Sequence, residues 1–82
     1  MNGSPDPFAG ITMPDAVLVA LNRRLTAIEH SADTLSVQLT SERAQGVVEA
    51  LEVLKVLKPA DIETLYLAVE DAAQSRVKAL LL

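Results

Sequence analysis

From Pro14 onward the apolar positions of the chain recur at helical spacing. Leu18, Leu21, Leu25, Ile28, Ala32, Leu35 and Leu39 alternate steps of three and four, which sets them on one stripe in coiled-coil register. The register breaks after Leu39, where its next positions hold Glu42, Gly46 and Glu49. A second seam in a different phase runs through Ala44, Val47, Leu51 and Leu54. The phase change predicts a turn near Thr40 and Ser41, either of which can cap a following helix, with Glu42 well placed for its dipole. Lys55 and Lys58 suit the far end of that helix. Pro59 cannot continue it but can open a third, with Asp61 and Glu63 in the first turn. The pattern therefore predicts helices near 14–39, 42–57 and 59–81. Thr12 reads as the first N-cap, with Asp15 as the carboxylate three residues on and Pro14 in the first turn. Two other readings compete. The stretch EHSADTLS (29–36) forms helix poorly and can hold the first turn near Ser31, or 14–57 is one long helix kinked near Thr40.

Ahead of the helices, residues 1–13 (MNGSPDPFAGITM) hold two prolines and two glycines and read as a flexible arm before a helical domain at 14–82. Phe8 is the one aromatic residue in that arm. It either packs lightly on the domain, as chain ends commonly do, or anchors the arm in a groove of this chain or a partner.

The helix faces do not balance. In the third helix the inward stripe is Ile62, Tyr66, Val69, Ala73, Val77 and Leu80. The opposite face reads Glu63, Leu67, Glu70, Gln74, Lys78 and Leu81, so Leu67 and Leu81 are out of place for a monomer. In the second helix Gly46, Ala50, Val53, Val56 and Leu57 extend the apolar surface around all but the Glu49, Glu52 and Lys55 flank. A helix apolar on more than one face is buried on more than one face. The expected architecture is all-α: a three-helix or long helical-hairpin unit with short turns that completes its core by oligomerisation. Val53, Val56, Leu57, Leu67 and Leu81 are the expected interface. Two copies in an antiparallel bundle would place the closing VKALLL (77–82) inside; the alternatives are a frayed end, or a chain cut from something longer.

Composition sharpens this picture. At 82 residues one small domain has a marginal core, and such chains add disulfides, a metal, close helix packing or self-association. There is no cysteine and one histidine, which removes disulfides and the usual metal sites. Half the residues are hydrophobic but only Phe8 and Tyr66 are aromatic, so the core is aliphatic. A net charge of −4 argues against nucleic acid as the main partner. The longest apolar run, Ala16 to Leu21, falls far short of the roughly 20 residues of a spanning helix. No basic residue precedes an apolar stretch at the N-terminus, so no signal peptide is expected. A cytoplasmic location is.

Candidate chemistry is sparse. His30, Ser31 and Asp33 are close in sequence, but residues within one helical turn rarely align as a hydrogen-bonded triad, and no glycine-rich turn is near to supply an oxyanion hole. Arg23 and Arg24 are an isolated basic pair; Arg43, Lys55, Lys58, Arg76 and Lys78 are scattered and make no stripe. Glu49, Glu52, Glu70 and Asp71 have helix-surface spacing. Glu29 and His30 are adjacent, not three apart as in helical di-metal proteins. There is no phosphate-binding glycine loop, and no basic, aromatic-rich amphipathic face for a membrane surface. No catalytic, cofactor-binding or metal-binding residue is assigned, and no enzyme, small-molecule substrate or membrane insertion is expected. The expected partner is another copy of the chain, as a homodimer, or another protein's helix.

The layout of a short arm, helices and an apolar last helix (DAAQSRVKALLL, 71–82) resembles the small subunits of bacterial secretion needles and rods, whose terminal helices pack into a filament. The chain lacks the Pro-x-x-Pro turn of needle subunits. A helical docking domain of a multienzyme assembly is similar in layout. The expected function is a non-enzymatic interaction module of adaptor, docking or small chaperone-like type. A structural subunit of a secretion-type assembly, and a small DNA- or polymerase-binding regulator, are the alternatives.

Overall fold

In the computed structural model, which describes Phe8 and residues 10–82, Pro14 opens the first helix. Its carbonyl accepts from the N–H groups of Val17 and Leu18, and α1 runs from Asp15 to Glu29. Pro14 itself holds the cap position with no side-chain hydrogen bond, so Thr12 is not the N-cap that the sequence suggests. The other helices are α2, Thr34–Val53, and α3, Pro59–Leu81, and no strand occurs among the described residues.

The first turn lies at residues 30–33, the competing position, and not near Thr40. The physical cause is Asp33. Its extended backbone (φ −151°) and its carboxylate, which accepts from the Ser36 N–H at 2.8 Å, satisfy an orphan donor of the α2 first turn. That bond also holds the Asp33 carboxyl below its ordinary pKa, first through the Ser36 backbone N–H. Thr40, expected as a cap, lies inside α2 and donates back to the Ser36 carbonyl at 2.8 Å.

With the turn at 30–33, the long seam divides. Leu21, Leu25 and Ile28 are buried, but Leu35 and Leu39 are 63% and 49% exposed. The core face of α2 is instead Val37, Ala44, Val48 and Leu51, with Ser41 half-buried between them. The α3 core is Ile62, Leu65 and Val69, flanked by Tyr66, Ala73, Val77 and Leu80. Phe8 joins this cluster at 3% exposure, so it is anchored in a groove of its own chain. The rest of the expected arm is partly visible: Ile11 and Met13 pack against the same core, and residues 1–7 and 9 lie outside the described residues.

The second turn also comes earlier than periodicity predicts. α2 stops at Val53, four residues short of 57, through a Schellman motif. The Lys55 N–H donates to the Glu52 carbonyl at 3.0 Å and the Val56 N–H to the Leu51 carbonyl at 3.4 Å. Lys55 takes the left-handed conformation, φ 56°, at the position where glycine is usual. Leu54, expected in the core, leaves the helix at its C-cap and is 68% exposed. Pro59 then opens α3 as its sequence position suggests, with Asp61 in the first turn. α2 makes its most extensive contact with α3 and also packs on α1, and α1 touches α3. The thinnest dimension is 20 Å, about two helix diameters, so each helix keeps an outward face.

Candidate interaction surface

Large apolar side chains remain on those outward faces. Val53 ends α2 and Val56 lies in the turn after it, at 71% and 57% exposure. Leu67 (56%) and Leu81 (75%) lie on the outer side of α3, about 21 Å apart along its axis. Leu57 differs from the other expected interface residues: it is half-buried and packs against the core. Val53 and Val56 are therefore gathered at the α2–α3 corner, while Leu67 and Leu81 are spread along α3.

A further stripe escapes the sequence reading. On a helical wheel drawn from Thr34, Leu35, Leu39, Gly46, Ala50 and Val53 share one strip, opposite Val37, Ala44, Val48 and Leu51. The signal was the Asp33–x–x–Ser36 start: once that cap is recognised, the two leucines can no longer belong to the α1 seam. The corner leucine, Leu54, is exposed for the same kind of reason, an early helix end.

Polar groups hold the helices in register around these faces. Ser31, the one polar residue buried among those described, sits at the first turn. Its hydroxyl lies 2.9 Å from the Ala27 carbonyl and 3.0 Å from the Thr40 hydroxyl. Its carbonyl accepts from Arg76 Nε at 2.8 Å, so one residue joins all three helices. Tyr66 of α3 donates to Glu52 of α2 at 3.2 Å. Burial, followed by that carboxylate, pushes the Tyr66 hydroxyl above its ordinary pKa.

The residues weighed for chemistry point away from one another. His30 Nδ1 lies 2.9 Å from the Thr26 carbonyl, Ser31 turns to Ala27 and Thr40, and Asp33 caps α2. No hydrogen bond links the three side chains into a relay among the described residues. Among them, too, no group of three or more His, Asp or Glu side chains is placed to hold a metal ion. No described helix is long and apolar enough to cross a membrane. An open groove of about 420 Å³ on the outer side of α3 is lined by Thr64, Leu67, Ala68, Glu70, Asp71 and Gln74, and another of about 320 Å³ on its flank by Ala73, Gln74, Val77 and Lys78. Compared with family models, with characterised proteins and with solved structures, the chain matches none of them.

Proposed function

We propose that this chain is a non-enzymatic protein–protein interaction module of the cytoplasm that self-associates through apolar residues of α2 and α3. The observation that carries the reading is the exposure of Val53, Val56, Leu67 and Leu81. Water contact of that apolar area is unfavourable by about 25 cal/mol per Å², so large apolar side chains left in solvent at the corner and along α3 favour a partner that covers them. Leu57, half-buried against the core, serves to position the corner rather than to meet a partner. The adaptor, docking or small chaperone-like role expected from the sequence rests on this surface alone.

The test is molar mass by light scattering after size exclusion, over a wide concentration range, for the chain and for Leu67→Ser. The expected result is a dimer that the substitution weakens by about 1–2 kcal/mol. An unchanged assembly size and stability in the variant would count against the surface.

A further inference from the structure

We infer that the partner of α3 is the α3 of a second copy, packed antiparallel about a two-fold axis at Gln74. The inference rests on the self-association reading above and assigns its geometry. Leu67, Gln74 and Leu81 recur every seven residues and form one narrow outer stripe. All three are exposed. Asp71 and Lys78, also exposed and also seven apart, lie on one flank of that stripe, and Glu70 and Val77 lie on the other.

A two-fold axis through Gln74 sets Leu67 against Leu81 of the second copy, and Leu81 against Leu67. In an antiparallel pair, residues of the same flank face each other. Asp71 therefore meets Lys78 of the second copy at nearly the same height, about one 1.5 Å helical rise apart, and the contact occurs twice. The two Gln74 amides meet at the axis, where each can donate and accept. The groove beside Leu67, lined also by Ala68, Asp71 and Gln74, receives the incoming Leu81. A parallel pair brings opposite flanks together and sets Asp71 against Glu70, acid against acid. Charge thus selects the antiparallel orientation, as facing flank charges do in coiled coils.

The absence of cysteine from the chain makes the geometry directly testable. Single variants Gln74→Cys and Leu67→Cys are oxidised in dilute solution and scored as cross-linked dimer on a non-reducing gel, beside light scattering of the unmodified chain. Both positions are exposed, and circular dichroism checks that helix content is kept. The expected result is a dimer, with rapid cross-linking at Gln74→Cys and none at Leu67→Cys. Asp71→Lys and Lys78→Asp should each raise the dimer dissociation constant about tenfold or more, and the double variant should recover most of that loss. Cross-linking at both cysteine positions would mean a parallel pair, and cross-linking at neither would place the interface elsewhere. Either result overturns this pairing but leaves self-association standing. A monomer at every concentration overturns both.

Discussion

Replacing Lys55 with glycine separates the structure from the helical periodicity by the sign of a single number. If α2 ran to 57, as its apolar spacing suggests, residue 55 would lie within the helix. Glycine there would then cost about 0.5–1 kcal/mol through lost backbone restriction. In the structure Lys55 holds φ 56° and closes the Schellman motif with the Glu52 carbonyl. A side chain in the left-handed region costs about 1–2 kcal/mol, which glycine removes. Subtracting glycine's entropic penalty leaves a net gain of about 0.5–1 kcal/mol. For a domain of this size that raises Tm by about 2–8 °C. Urea and thermal unfolding followed by circular dichroism at 222 nm measure it, with Lys55→Ala as the control. Alanine must adopt the same positive φ, so it should stay within about 0.5 kcal/mol of the parent. A glycine variant less stable than the parent would refute the early end of α2, and with it the exposure of Leu54 and Val56.

The remaining predictions concern α2. Gly46 lies inside the helix on its outer face, and a Cβ there meets nothing within 4 Å. Gly46→Ala should therefore stabilise the fold by about 0.5–1 kcal/mol, read from the urea midpoint. The Asp33 cap should make stability depend on pH. Its folded pKa is depressed, so its contribution is complete above the unfolded carboxyl range and is lost as pH falls through the folded value. Urea midpoints of the parent and Asp33→Ala should differ at pH 7 and converge on acidification; a constant gap would show that the carboxylate is not the cap.

How much of this was legible in sequence depends on what each signal competed against. Leu21, Leu25 and Ile28, and the opening of α3 at Pro59, could be read because periodicity and backbone chemistry agree there. The first turn could not be placed from the stripe, because Leu35 and Leu39 continue the α1 spacing by coincidence across a real break. The true α2 seam was masked by Ser41, a polar residue at a core-facing position between Val37 and Ala44. The end of α2 was hidden because it uses lysine where glycine would have announced it. The exposure of Leu67 and Leu81 was readable, since charged and polar residues share their face of α3. Leu35 and Leu39 were not, having been counted in a core they do not join.

The contact between Arg76 and the Ser31 carbonyl has a consequence for how the domain comes together. α1 has no basic residue in its last turn, so the negative end of its dipole lacks a local counter-charge. The guanidinium that reaches this corner comes from α3, 45 residues further along the chain. α1 and α2 can form a hairpin from nearby contacts, yet its bend gains this cation only when the last helix docks. Closure of a long loop and stabilisation of the first corner are therefore one event. Such coupling favours all-or-none unfolding over stepwise loss of α3. Amide hydrogens around His30 and Ser31 should then exchange together with those of the α3 midsection rather than with the nearer, locally frayed ends.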